Sequence, residues 1–379
     1  MIFNVLDFIL FRFRKTANLQ LFSKRPKKSS IVFYIFYEIF LHQSQKIMKR
    51  ASIKDIARIA EVSVATVSYV LNKKEGSRIS EATKTRILDV AKSINYTPNK
   101  IAKSLKMNKT KLIGLIVADI SNDFYSNIAR NIEDEAMKLG YTLLIGSCDE
   151  NPEKFKKLTE LFSEQQVDGM IIAPVVDSDE AINKLIQEEY PIVTIDRYLK
   201  NVSLPGVMIN NSEISEQICD HLVKKDFDEI IYVGYNTELP HLLDRQDGFD
   251  QRIAKSDISA KRILIGIHNI TEEVHQKMQE NLDLSKKTAI YFSSNKLGIA
   301  GLRYLIDHSI SVPEQVSLVA FDETEAYYLF PTEVSFVQQP LYDMARESVK
   351  LLDNQINDYT TNGKRVTFHA KFMERSSVK

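Results

Sequence analysis

Eight side chains capable of polar or stacking chemistry stand just beyond short apolar runs or in a distinctive local pattern. Asn122, Phe124 and Tyr125 follow Leu112–Val117, and Asp196 and Arg197 follow Ile192–Ile195. Asn295 follows Ala289–Phe292, and Asp322 follows Val316–Phe321. Arg245 lies in Asp244-Arg245-Gln246-Asp247-Gly248-Phe249. Carboxylates and amides pair with hydroxyls, a guanidinium forks onto a hydroxyl pair or a carboxylate, and an aromatic ring stacks on a sugar face. This is the chemistry of holding a polyhydroxy ligand. Catalysis is not expected: His221, His241 and His308 have no metal or triad partner, and there is neither a glycine-rich phosphate loop nor a nucleophile elbow. No cofactor or metal is expected either.

A second chemistry is written in the charge. The chain balances 50 Lys+Arg against 50 Asp+Glu, but unevenly. Residues 48–111 carry 15 basic and 5 acidic residues, whereas 112–379 carry 27 and 43. A small basic module on a large acidic body points to a polyanion partner for the module. Cys148 and Cys219 are far apart and match no disulfide framework or metal spacing, which fits a reduced cytoplasmic compartment.

The basic module must position its contacts on helices. Ile53, Ile56, Ala57 and Ala60 repeat with helical spacing, Glu61-Val62 interrupts them, and Ser63 stands where an N-cap belongs. Val64–Asn72 continues as a second helix with Val67, Val70 and Leu71 inside. A third follows, capped by Ser80 and lined by Ile87, Val90, Ala91 and Ile94. Two short helices across a tight turn predict a helix-turn-helix, whose second helix fits a major groove.

Beyond residue 111, apolar runs alternate with helical segments. The runs include Leu112–Val117, Thr142–Ile145, Gly169–Ala173, Ile192–Ile195, Glu229–Gly234, Ala289–Phe292 and Val316–Phe321. The helical segments include Phe124–Leu139, Glu153–Gln165, Ser212–Lys225 and Lys296–His308. Alternation of this kind predicts parallel sheets, and some 270 residues suggest two α/β subdomains. Ligands in such sheets bind at the carboxyl ends of strands, where the eight residues stand.

The runs Ile53-Lys54-Asp55-Ile56-Ala57, Val62-Ser63-Val64-Ala65-Thr66-Val67-Ser68 and Val70-Leu71-Asn72, with Ile79-Ser80-Glu81-Ala82-Thr83 and Tyr96-Thr97-Pro98-Asn99, resemble the N-terminal signature of the lactose-repressor/galactose-repressor (LacI/GalR) family. The resemblance runs from Met48 to the C-terminus, and Arg245-x-x-Gly248-Phe249 matches the family's Arg-x-x-Gly-Phe. It implies an N-terminal all-α helix-turn-helix DNA-binding domain and an α/β periplasmic-binding-protein-like core. It also implies a homodimeric repressor of carbohydrate-metabolism genes that reads a pseudo-palindromic operator. Val64, Ala65 and Tyr69 fall where members touch base edges; two of these are apolar and suit thymine methyl groups. Thr66, Ser68 and Asn72 match phosphate-positioning residues, and Ser52, Ile53 and Ser63 complete the DNA-facing set. In the hinge, Leu105 matches a minor-groove wedge, with Ala102 and Lys103 as its neighbours.

The expected organisation is an over-extended start or disordered arm over 1–47, a DNA-binding domain over 48–96, a hinge over 97–111, and an effector-binding and dimerisation core over 112–379. The apolar run Ile31–Leu41 is too short for a membrane span and contains Glu38; a membrane-anchored regulator is the alternative for that segment. Two departures from the family carry consequences. Glu61 stands where Gly or Asn is common; if the turn needs positive φ, Glu bears about 1–2 kcal/mol of strain. Asn295 stands where Asp is common and removes a charge. With Arg197 and Arg245 this favours a sugar acid or sugar phosphate over a neutral sugar as effector. A corepressor protein is left open. The rival class is the solute-binding protein of a sugar transporter, which shares the core but not the helix-turn-helix.

Overall fold

The computed structural model describes residues 51–72, 79–96, 109–357 and 363–379. These fall into two compact units that divide near residue 100. The first holds α1 (Ile53–Ile59), α2 (Val64–Leu71) and α3 (Glu81–Ser93). Each begins on a serine cap. The Ser52 hydroxyl accepts the Asp55 N–H at 3.3 Å, and Asp55 returns a bond to the Ser52 N–H at 3.0 Å, closing a capping box. Ser63 accepts the Thr66 N–H at 3.1 Å and Ser80 that of Thr83 at 3.3 Å. Ile56, Ala57, Ala60, Val67, Ile87 and Ala91 form the small core, with Val70, Leu71, Val90 and Ile94 packed around it. Glu61 adopts φ 53°, the left-handed turn on which the strain argument rests.

The second unit carries two six-stranded sheets. In chain order its elements are β1 (Leu112–Val117), α4 (Asp123–Lys138), β2 (Thr142–Ser147), α5 (Pro152–Glu164), β3 (Met170–Ile172), α6 (Asp179–Gln187), β4 (Ile192–Ile195) and β5 (Gly206–Ile209). There follow α7 (Asn211–Val223), β6 (Glu229–Tyr235), α8 (Pro240–Ile253), β7 (Ser259–Ile265), α9 (Ile270–Asn281), β8 (Thr288–Phe292) and α10 (Asn295–Asp307). The last are β9 (Val316–Phe321), α11 (Ala326–Leu329), β10 (Ser335–Gln338), α12 (Leu341–Ile356), β11 (Arg365–Phe368) and β12 (Lys371–Met373).

The first sheet runs β11-β5-β4-β3-β1-β2, all parallel. The second runs β12-β10-β9-β8-β6-β7, parallel except for the antiparallel β10–β12 edge pair. Central strands such as β4, β8 and β9 are buried along their whole length, as helices on both faces require. The chain crosses between subdomains three times, after β5, β10 and β11, so the subdomains are interleaved. Among the described residues, no helix is long and apolar enough to cross a membrane.

Candidate functional site

In the first unit, α2 turns Val67 into the core and the opposite face outward. Val64 is 42% exposed and Tyr69 47%, with Ala65 exposed beside them. The Thr66 hydroxyl is 2.9 Å from that of Ser63, and the Asn72 amide folds back onto the Ser68 carbonyl at 2.7 Å. Ser52 and Ser63 spend their hydroxyls on caps, and Ile53 packs against the core edge. The outward residues of α2 therefore form a mixed apolar and hydroxyl surface beside a serine-capped helix N-terminus, a shape suited to base methyls and phosphates. Ala102, Lys103 and Leu105 lie outside the described residues.

In the second unit, all eight polar and aromatic residues singled out above line one cavity of ≈ 100 Å³ between the subdomains. Strand ends put them there. Asp196 and Asp322 follow β4 and β9, both in the left-handed region at φ 65° and 63°, and both are buried. Asn122 caps α4 by accepting the Phe124 N–H at 3.0 Å, while Ser294 caps α10 by accepting that of Leu297 at 3.2 Å. Two helix N-termini thus face the cleft. Arg245 is placed by the tight seam of α7 and α8. A Cβ on Gly248 would fall 2.1 Å from the Ser212 carbonyl oxygen, so only glycine allows that approach. Phe249 then packs on Tyr232, ring centroids 5.0 Å apart.

The cleft is closed by direct contacts between subdomains. Asn295 Nδ2 donates to Asn122 Oδ1 at 2.7 Å, and the Thr324 hydroxyl donates to Asp123 Oδ2 at 2.7 Å. Lys296 pairs with Asp119, and the Tyr198 hydroxyl donates to Asp244 at 3.1 Å.

Within the cleft, the Tyr125 hydroxyl donates to Asp196 Oδ2 at 2.9 Å, and Gln339 Nε2 to Asp322 Oδ1 at 2.6 Å. Burial pushes both aspartate carboxyls above their usual range, with Arg197 and Arg245 opposing the shift at Asp196 and Arg245 opposing it at Asp322. Arg245 donates to Asn211 Oδ1 at 2.8 Å and to the Ser293 carbonyl at 2.7 Å, and lies 3.5 Å over the Phe321 ring.

The surplus positive charge expected from Arg197 is spent locally. Its two terminal nitrogens reach the Glu150 carboxylate at 2.8 and 2.5 Å. Glu150, His241, Lys296 and Gln339 also line the cavity and were not among the expected residues. His241 had stood out only as a histidine without a partner. It is buried, and burial, reinforced by Arg197 and Arg245, holds its imidazole well below the usual range, hence neutral.

A larger groove of ≈ 420 Å³ flanks the cleft and shares Phe124, Asp322 and Gln339 with it. Its lining is acidic and carries no basic side chain. The cleft is the better ligand site because buried polar atoms of both subdomains converge on it.

Comparison with known proteins agrees with both halves of this geometry. Residues 52–99 match the family described as bacterial regulatory proteins, lacI family, and residues 219–378 match the periplasmic binding protein-like domain. The HTH-type transcriptional regulator RegA of Clostridium saccharobutylicum is 30% identical over 330 residues, 86% of this chain and 99% of that protein. Catabolite control protein A of Staphylococcus aureus (strain Mu50 / ATCC 700699) is 30% identical over 332 residues, again 86% of this chain and 99% of that protein. Among solved structures, the lac repressor dimer bound to operator and the anti-inducer ONPF has a TM-score of 0.75 at 19% identity, covering 87% of this chain and 99% of that one. The CelR–cellobiose complex has a TM-score of 0.63 at 21% identity, covering 86% and 100%. These two likenesses establish the fold, a helix-turn-helix unit with a core of two parallel-sheet subdomains. With relatives this similar over nearly their whole length, the chain belongs to the lacI family of bacterial regulatory proteins.

Proposed function

We propose that the chain is a cytoplasmic, homodimeric repressor of carbohydrate-metabolism genes, switched by a sugar-like effector in the cleft, and that it performs no catalysis. Each protomer reads one half-site of a pseudo-palindromic operator, with Val64, Ala65 and Tyr69 on base edges and Thr66, Ser68 and Asn72 on the backbone. Ala102, Lys103 and Leu105 are assigned to the minor groove by family resemblance.

The observation that carries the switch is the meeting of Asn295 and Asn122 at 2.7 Å. The two subdomains touch through residues that also line the cavity, so a ligand there changes the closure equilibrium by its differential affinity for the two arrangements. A transporter's solute-binding protein would have no use for the helix-turn-helix unit. The test is Arg245→Ala, assayed for operator binding with and without sugars. Retained operator binding with a lost sugar response supports the reading; an unchanged sugar response removes Arg245 from the site.

A further inference from the structure

Three buried polar atoms in the cleft lack a hydrogen-bond partner: Arg197 Nε, His241 Nδ1 and Gln339 Oε1. Their residues are 5%, 4% and 8% exposed, and all three line the same cavity. Buried polar groups left unpaired are costly, so an occupant that satisfies them gains affinity. Arg197 Nε offers a hydrogen, Gln339 Oε1 needs one, and the neutral His241 ring takes either role with its tautomer. Hydroxyls meet all three needs because each donates and accepts. The three atoms therefore call for a hydroxyl-bearing ligand, and the charge balance of the cleft decides whether that ligand can also carry an anion.

The cations of the cleft bear on that question. Both terminal nitrogens of Arg197 are held by Glu150 and Lys296 by Asp119, while Arg245, whose Nε and Nη1 donate to the neutral Asn211 and Ser293 oxygens, has its charge opposed by Asp196 and Asp322. Asp196 and Asp322 stand beside them. An anion entering the cleft must either displace Glu150 from Arg197, stranding a carboxylate next to Asp196, or bind without a full counter-charge.

Resting on the effector reading above, we propose that Glu150 is a charge filter: by occupying the Arg197 fork it reserves the cleft for an uncharged polyhydroxy molecule and excludes the acid or phosphate of the same ring. Glu150 reaches this position because the chain turns through the left-handed region at Asp149 and Glu150, φ 54° and 55°, directly after β2.

The experiment is calorimetric titration of the full chain with inorganic phosphate and with D-glucuronate, in the wild type, Glu150→Gln and Glu150→Asp. Operator binding serves as the check that each variant is folded. The wild type and Glu150→Asp, which keep the charge, should show no saturable binding of either anion at millimolar concentration. Glu150→Gln frees the fork and should bind at least tenfold more tightly than the wild type. Saturable anion binding by the wild type overturns the proposal, and so does a folded Glu150→Gln without the gain. Should Glu150→Gln fail the folding check, Glu150→Ala takes its place under the same criterion. Failure of the effector reading looks different: neutral sugars would leave operator binding unchanged while the anion gain in Glu150→Gln still appeared.

Discussion

Asn295 and Asn122 come from different subdomains, cap-side residues of α10 and α4, and meet head to head through one amide hydrogen bond of 2.7 Å. A bond of this kind contributes about 0.5–1.5 kcal/mol net. Asn295→Ala should therefore loosen closure by about 2- to 10-fold. Amide hydrogen exchange in the first turn of α4, at Phe124 and Ser126, should accelerate by that factor. Unchanged exchange would mean that this contact does not hold the cleft shut.

Val64 begins α2 and is 42% exposed, so replacing it disturbs no core. An aspartate at the first helical position even favours the helix, by about 0.3–1 kcal/mol. Val64→Asp should keep its thermal midpoint yet lose specific operator binding by about 100-fold or more, two or more decades of discrimination being what a lost apolar contact plus phosphate repulsion can remove. Competition binding measures it; undiminished specific affinity would place the reading surface elsewhere.

Glu61 holds φ 53° in the helix-turn-helix turn. Glycine adopts that conformation without the Cβ penalty, so Glu61→Gly should stabilise the turn by about 1 kcal/mol. The readout is slower amide exchange in α2 of the full chain, by about fivefold for that energy. Faster exchange would show that the glutamate side chain contributes more than its backbone costs.

His241 gives the cleft a pH signature. Its folded value lies below the unfolded 6.5, so its contribution to stability is fully present above pH 6.5 and is lost as pH falls, by up to about 1.4 kcal/mol per pH unit. Asp196 and Asp322 act oppositely: their folded values are raised, so their penalty grows as pH rises from 3.8. The difference between wild type and His241→Gln isolates the histidine. In urea titrations the wild type should lose stability relative to the variant between pH 6.5 and 5.5. Parallel behaviour of the two would mean that His241 is not held neutral.

Much of this was legible in the sequence, for physical reasons. Ser63 and Ser80 announced their helices because capping is a local interaction between a side chain and the next turn. Asp196, Arg197 and Asp322 followed short, mostly apolar runs, and the ends of buried parallel strands are where ligands lie. Glu150 gave no such signal. Its meaning depends on Arg197, 47 residues away, and on two left-handed residues after β2. Gln339 sits at a crossover between sheets, and His241 in the first turn of α8, places that no periodicity marks. Strand β7 carries Lys261 and Arg262 on an outer edge, so its pattern lacks the apolar run that revealed the inner strands. The balance of charge in the cleft is not legible in the sequence for the same reason: counting arginines does not show which carboxylate each one holds.

The central claim is that this chain recognises a particular DNA sequence and releases or retains it in response to a small molecule. Binding of the full chain to fragments upstream of its own and neighbouring genes, over a salt titration with non-specific competitor, tests it most directly. The account predicts competitor-resistant binding to one fragment, a steep negative salt slope, and a change in affinity on adding neutral sugars. Equal affinity for every fragment, abolished by competitor, would contradict it.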